Sequence, residues 1–368
     1  MTSPAAADAR FMALALSLGR RGQGNVWPNP AVGCVIVRSG RVVGRGWTRP
    51  GGRPHAEVVA LAQAGAAAEG ATAYVTLEPC AHHGQTPPCA EALIAARVAR
   101  VVVALTDPDP RVSGRGIALL QAAEIEVTTG VLAAAAEEDH AGFLARVTRG
   151  RPLVTLKLAS SFDGRIATGT GESQWITGPE ARRAVHAMRA RHDAVMVGAG
   201  TARKDDPSLT VRDMGVARQP QRIVVSRRLD LPLGGKLARS AAEVPLILCH
   251  GRDADPILKR TWTDLGATLL SCDLRGAQLD PADVLAKLGA LGLTRIFCEG
   301  GSALAASLID ADLVDRLVGF TAGTIIGAEG LPGIGAMGLD RLARAPRYVL
   351  VETGAVGPDI LHVWTRRR

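Results

Sequence analysis

Short apolar runs alternate with helix-length stretches along almost the whole chain, and no other feature limits its possible folds so much. Ala31 to Val37 and Arg41 to Gly46 read as strands joined by the turn Arg38-Ser39-Gly40, a hairpin signal. Phe11 to Leu18, Ala56 to Ala68, Pro88 to Ala96, Gly116 to Ala123 and Val131 to Arg149 read as helices. Ala73 to Leu77, Val101 to Leu105 and Ile125 to Thr129 read as the strands between them. Strands interleaved with helices bury both faces of a sheet when the helices cover it on either side, so an α/β fold is expected. The pattern breaks at Gly150-Arg151-Pro152, where a helix-ending glycine is followed by a proline. It restarts with strand patterns at Leu153 to Ala159, Ala194 to Val197, Arg222 to Ser226, Pro245 to Cys249, Arg295 to Cys298, Leu317 to Phe320 and Tyr348 to Glu352. Helices are expected at Pro179 to Arg191, Pro281 to Leu291 and Ser302 to Ile309. A chain of 368 residues has room for two domains, and the break divides it into 1–149 and 150–368.

Composition removes several classes. Hydrophobic residues make up 47% and charged residues 21%, which excludes a disordered chain. Aromatics are only 3%, so the core must be built from Ala, Val, Leu and Ile. Residues 1–10 are polar and Ala-rich, and Phe11 to Leu18 is too short for a membrane span and lacks a basic lead-in, so a cytoplasmic protein without a membrane role is expected. The net charge of +8 comes from scattered residues with no basic stripe interleaved with aromatics, so nucleic acid is not expected as a partner. Six cysteines in so long a chain do not form a disulfide framework; Cys80 and Cys89, in a loop rich in Pro, His and Gly, suit a metal better.

Three pieces of the first half then stand together. His55-Ala56-Glu57 opens a helix, Pro79-Cys80 follows a strand, and Cys89 follows Pro87-Pro88 at the start of the next helix. One imidazole and two thiolates are a zinc donor set, and three protein ligands leave a fourth position for water, as a catalytic site requires. Helix N-termini favour thiolate over thiol. Glu57, two residues beyond His55, is placed to take a proton from that water and return it to a leaving amine. The pattern His-x-Glu with Pro-Cys-x-x-Cys is that of zinc deaminases, with a loop here of Ala81 to Pro88 in place of two residues. A closed structural site would need a fourth ligand, for which His82 or His83 is available.

Pro28-Asn29-Pro30-Ala31-Val32-Gly33-Cys34, His55-Ala56-Glu57 and Leu77-Glu78-Pro79-Cys80 through Thr86-Pro87-Pro88-Cys89 resemble the bifunctional riboflavin-biosynthesis deaminase/reductases. So do Lys157 to Arg165, Ser173-Gln174-Trp175-Ile176-Thr177, Asp205 to Arg212 and Glu299-Gly300-Gly301 in the second half. The resemblance implies a cytidine-deaminase-like α/β/α domain followed by a dihydrofolate-reductase-like α/β domain. It implies zinc-dependent hydrolytic deamination of a diaminopyrimidinone ribosylamine 5′-phosphate, then NADPH-dependent reduction of the ribosyl to a ribityl chain. The implied cofactors are one Zn2+ per chain and NADPH; the implied partner is a phosphorylated aminopyrimidine, and a homo-oligomer is expected.

The resemblance also assigns residues. Asn29 and His82 are substrate positions of the deaminase. Ala159, Trp175, Thr201, Asp205, Ser226 and the segment Gly301, Ser302, Ala303, Leu304, Ala305, Ala306, Ser307 match cofactor positions. Ser173, Arg189, Leu209, Arg212 and Glu299 match substrate positions, and Lys157 and Asp205 are the candidate polar groups near the reducing centre. Arg189 and Arg212 suit a phosphate clamp, because guanidinium forks bind phosphate bidentately. The turn Glu299-Gly300-Gly301-Ser302 brings backbone N–H groups to a helix start, where anions bind. Gln85 and Thr48 depart from the Lys or Arg and the His usual in the family, removing charge from the phosphate side; Arg49 or Arg53 could compensate. The alternative reading is a zinc deaminase of a nucleic-acid base or free nucleoside, which leaves residues 150–368 as an accessory domain without a stated role.

Overall fold

Ser39 and Gly40 both take positive φ, 51° and 75°, and close the hairpin between Gly33–Arg38 and Arg41–Trp47. Such a turn twists the same way as its flanking strands. The structure is a computed structural model that describes residues 3–82, 87–109 and 113–367. It divides into two units, Met1–Gly150 and Arg151–Arg368.

The first unit runs α1 (Pro4–Gly19), β1 (Gly33–Arg38), β2 (Arg41–Trp47), α2 (Ala56–Ala64), β3 (Thr72–Val75), α3 (Cys89–Ala95), β4 (Arg100–Val103), α4 (Arg115–Ala122), β5 (Glu126–Thr129) and α5 (Ala133–Arg149). Its sheet has the order β2-β1-β3-β4-β5, with β1 antiparallel to β2 and β3 and the other pairs parallel. Side chains alternate between its faces, as the pleat dictates. Cys34, Ile36, Ala73, Val75, Val101 and Val103 pack with Ala60, Leu93 and Leu120 of α2, α3 and α4. Val35, Val37, Tyr74 and Val102 pack on the other face with Phe11, Met12 and Ala136 of α1 and α5. Each fully buried Val, Leu or Ile contributes about 1.5–3 kcal/mol, so the two helical layers hold the sheet between them. Asp8 of α1 is buried and accepts 2.9 Å bonds from both terminal nitrogens of Arg100 and a 2.8 Å bond from the Tyr74 hydroxyl, tying α1 to β4 and β3. Gly150 ends α5 at φ 67°, which a glycine adopts without a Cβ penalty.

The second unit runs β6 (Leu153–Ser160), β7 (Arg165–Ala167), α6 (Pro179–Ala190), β8 (Ala194–Gly198), α7 (Ala199–Asp205), β9 (Gln221–Val225), α8 (Lys236–Arg239), β10 (Leu246–Gly251), α9 (Pro256–Asp264) and β11 (Thr268–Cys272). It continues through β12 (Leu274–Arg275), β13 (Gln278–Leu279), α10 (Pro281–Ala290), β14 (Arg295–Cys298), α11 (Ser302–Asp310), β15 (Arg316–Thr321), β16 (Leu331–Pro332), β17 (Tyr348–Val356) and β18 (Asp359–Arg366). Nine strands form one sheet in the order β11-β10-β9-β8-β14-β6-β15-β18-β17. It is parallel from β11 to β15 and antiparallel over its last two pairs. The strands β11 and β18 and the helices α7 and α9 were not expected from the sequence. The carboxyl ends of β6, β8 and β14, neighbours at the sheet centre, deliver Lys157 and Ala159, Gly198, and Glu299-Gly300-Gly301 to one edge, where parallel α/β sheets bind ligands.

Candidate functional site

His55 is the N-cap of α2 in extended backbone, Cys89 is the first residue of α3, and Cys80 follows β3. Gly46 explains why α2 can deliver its first turn here: a Cβ on Gly46 would stand 2.1 Å from the Ala56 carbonyl oxygen. Bare backbone on β2 therefore sets the height of His55 above the sheet. Among the described residues, His55, Cys80 and Cys89 form a group whose ligand atoms all lie within 4.8 Å of one another. His55 Nδ1 is 3.3 Å from Cys89 Sγ and 3.7 Å from Cys80 Sγ. A tetrahedral zinc with bonds of about 2.3 Å to sulfur and about 2.05 Å to nitrogen separates N from S by about 3.6 Å. The donor set and its spacing both fit the metal. His82 is exposed and outside this group, so it does not close the site with a fourth ligand. His83 and Gln85 lie outside the described residues.

The electrostatics favour ionised sulfur. The Cys89 thiol, the His55 ring and the Cys89 backbone N–H, which donates at 3.3 Å, hold Cys80 down at about 4. The shared proton stays on Cys89, which the Cys80 thiolate and burial push upward. Such a pair accepts a divalent cation by releasing that proton. Glu57 is 3% exposed. Burial, followed by the negative charge on Cys80, pushes it up to about 7, and its carboxylate lies within hydrogen-bond reach of Cys89. A carboxyl that titrates near neutrality can both take and give a proton. Asn29 packs on the loop before His55, where a Cβ on Gly52 would fall 1.8 Å from its Nδ2. Thr48 is buried and accepts a 3.0 Å bond from Val32 N, so it is a structural hydroxyl facing the backbone.

In the second unit a 470 Å³ cleft opens at the carboxyl ends of β6, β8 and β14. Lys157, Ala159, Ser173, Trp175, Arg189, Thr201, Asp205, Leu209, Arg212, Glu299 and Gly301 all line it, although they come from widely separated stretches of chain. Burial pushes the Lys157 ammonium down, with Glu299 pulling the other way. Burial alone would raise Glu299, but Arg189 and Lys157 outweigh it and keep the carboxylate ionised. Asp205 is raised by its partial burial. Leu209 sits at φ 55° with its side chain buried, a strained conformation for a branched residue and one found preferentially at functional sites. Trp175 is 65% exposed, with the Arg182 guanidinium 4.6 Å from its ring centroid. Gly301 donates to Thr201 Oγ1 at 3.1 Å, and α11 begins beside it with no side-chain cap, leaving its first N–H groups available to an anion.

Three of the assigned positions are held by the protein itself. Arg189 does not hold its fork open for a phosphate: Nε and one terminal nitrogen bond Glu299 at 2.5 and 3.1 Å, and the other donates to Thr210 O at 2.8 Å. The charge on Glu299 needs that compensation because both groups are largely buried. Ser226 is fully buried with its Oγ 3.3 Å from Asp230 Oδ1, outside the cleft lining. Of the segment Gly301 to Ser307 only Gly301 lines the cleft, while Ala305 and Ala306 belong to the core. The cleft also contains residues that sequence reasoning passed over: Arg182, His186 and Lys236. Arg182, His186 and Arg189 recur at helical spacing on α6, and that period was the available signal. His186 Nδ1 accepts from the Arg212 backbone N–H at 3.2 Å, which orients the loop carrying Arg212.

The family described as the cytidine and deoxycytidylate deaminase zinc-binding region matches residues 5–105, and the RibD C-terminal domain matches 152–362. The second match gives residues beyond the break a family of their own, which the nucleic-acid reading left without a role. The chain is 42% identical over 363 residues to riboflavin biosynthesis protein RibD of Escherichia coli, covering 97% of this chain and 99% of the relative. A solved structure of Acinetobacter baumannii RibD superposes with a TM-score of 0.88 at 36% identity, covering 99% of this chain and 100% of that one. A Thermotoga maritima structure, a diaminohydroxyphosphoribosylaminopyrimidine deaminase/5-amino-6-(5-phosphoribosylamino)uracil reductase, gives 0.86 at 33% identity over 98% and 99% of the two chains. The zinc-type donor cluster in one unit, the cleft in the other and these full-length similarities agree: the chain belongs to the RibD family, the bifunctional deaminase/reductases of riboflavin biosynthesis.

Proposed function

We propose that the two activities are divided between the two units, with deamination at His55, Cys80, Cys89 and Glu57 and reduction in the cleft around Lys157 and Glu299. The substrate is read as a diaminopyrimidinone ribosylamine 5′-phosphate, as the name of the Thermotoga maritima relative suggests. The observation that carries the reading is the buried Glu57 beside a His/Cys/Cys cluster whose spacing fits zinc. His55, Cys80 and Cys89 would hold the metal, which would supply, when bound, a water acidic enough to act as a nucleophile near neutrality. Glu57 holds the proton taken from that water and hands it to the departing amine. Asn29 and His82 orient the pyrimidine.

In the second unit the cofactor reading is NADPH, held by Thr201, Trp175, Gly301 and the first turn of α11. NADPH supplies a hydride when bound. Lys157 and Asp205 are the groups that hold or deliver a proton at the sugar, and Glu299, kept ionised by Arg189 and Lys157, orients the substrate. Burial lowers the free energy cost of Lys157 giving up its proton, which suits a proton donor. With the fork of Arg189 committed to Glu299, phosphate recognition falls to the exposed Arg212 on the rim, with Lys236 lining the same cleft.

Arg212→Ala is accordingly expected to lower the catalytic efficiency of reduction roughly tenfold to a hundredfold, the loss of one charge-assisted contact of about 1.5–3 kcal/mol. The loss should appear in KM and should nearly vanish on the dephosphorylated substrate, where no partner remains. The check is kcat/KM for wild type and variant on both substrates. Equal losses on the two would assign Arg212 to structure or cofactor and move the phosphate elsewhere.

A further inference from the structure

Two residues before Cys80 stands a buried carboxylate that the chemistry does not use. Glu78 is 4% exposed, and both of its oxygens are occupied. Oε1 accepts from the backbone N–H of Gly116 at 2.9 Å and of Ile117 at 3.3 Å; Oε2 accepts from Gly114 at 3.0 Å and Asp107 at 3.2 Å. The first N–H groups of a helix have no partner within it. The N-cap of α4 is Gly114, which has no side chain to offer. Glu78, far upstream in sequence, supplies the cap instead, and a carboxylate at that end also meets the positive pole of the helix.

The same contact fixes the metal-ligand turn. A Cβ on Gly116 would stand 2.0 Å from the Pro79 carbonyl oxygen, so α4 presses on the peptide between Glu78 and Cys80 with no space to spare. Glu78 N–H donates to Leu105 O at 2.9 Å, Cys80 O accepts from Ala90 N at 3.2 Å, and Leu93 of α3 packs in one cluster with Leu120 of α4. The turn after β3 therefore meets the start of α4 at this carboxylate and the start of α3 through Cys80 O, so three segments converge here. Two of these three segments carry thiolate ligands.

We infer that Glu78 is a positioning residue of the metal site: by clamping the N-terminus of α4 beneath Pro79, it holds Cys80 in register with Cys89 and His55. The inference rests on the zinc reading of that cluster. Supports of this kind, one shell behind the ligands, typically govern metal affinity or activity by ten- to a hundredfold. Glu78→Gln keeps the size but sets an amide NH2 against N–H donors, so two of the four bonds are lost.

The test uses the full-length zinc-loaded protein and follows zinc transfer to a colorimetric chelator. Glu78→Gln is expected to release zinc about ten- to a hundredfold faster than wild type. Its kcat for ammonia release should fall in step, with KM changed by less than about twofold, because no substrate contact is lost. Glu78→Asp, which keeps the charge on a shorter arm, should recover part of the loss. Gly116→Ala, with Glu78 intact, should speed release in the same direction, and it carries the test if Glu78→Gln does not fold. Asp8→Asn, which breaks the buried pair with Arg100 on the opposite face of the sheet, should lower the melting temperature of the first unit without speeding zinc release. The inference is overturned if Glu78→Gln and Gly116→Ala both release zinc at the wild-type rate, or if Asp8→Asn speeds release as much as they do. A wild-type protein that binds no zinc would overturn the metal reading beneath it.

Discussion

Glu57→Gln is expected to slow ammonia release by about a hundredfold or more, the usual range for a general acid/base, while zinc content and NADPH-dependent reduction of the deaminated substrate stay at wild-type levels. The substitution is nearly isosteric at a position only 3% exposed, so packing should be preserved. What disappears is the ability to carry a proton between water and leaving amine. Glu57 is not among the residues that form the donor cluster, so the metal should remain. Zinc analysis and separate assays of the two half-reactions make the comparison. Near-normal ammonia release would remove Glu57 from the chemistry, and simultaneous loss of zinc would make it a ligand.

The double variant Cys80→Ser/Cys89→Ser should lose zinc altogether and, with it, deamination. A serine hydroxyl is harder and far less acidic than a thiol, so neither replacement can supply the soft, ionised donor that the site provides. The two sulfurs also stabilise one another's charge state, so their effects should not add as independent losses. Reduction of deaminated substrate should continue, because the residues of that cleft all lie in the second unit. Full zinc content in the double variant would reject the assignment.

Features that depend on near neighbours in sequence were readable before the fold. The hairpin at Ser39-Gly40 follows from turn chemistry, and β1, β3 and β4 from their apolar runs. The donor cluster was legible because His-x-Glu and the two Pro-Cys elements are each local, although Cys80 and Cys89 needed the fold to meet His55. β18 was missed because Asp359-Ile-Leu-His-Val-Trp-Thr-Arg mixes charge and aromatic residues; only Asp359, Leu361 and Val363 of it are buried. β11 was missed for a similar reason, since of its residues only Cys272 is buried. The pairing of Arg189 with Glu299 joins residues 110 positions apart, and the cap from Glu78 to Gly116 spans 38. No periodicity encodes such contacts. They redirected the phosphate assignment toward Arg212 and brought out the role of Glu78.

The central claim is that one chain holds a zinc-dependent deaminating site and a separate NADPH-dependent reducing site acting in that order. A single assay addresses it: purified wild-type protein with the diaminopyrimidinone ribosylamine 5′-phosphate, zinc and NADPH, following ammonia and NADPH in parallel before and after a zinc chelator. The account predicts that ammonia release precedes NADPH oxidation. It predicts that the chelator stops both on this substrate but leaves NADPH oxidation intact on the deaminated one. Ammonia release that survives complete zinc removal, or reduction of the deaminated substrate that fails with it, would contradict the account.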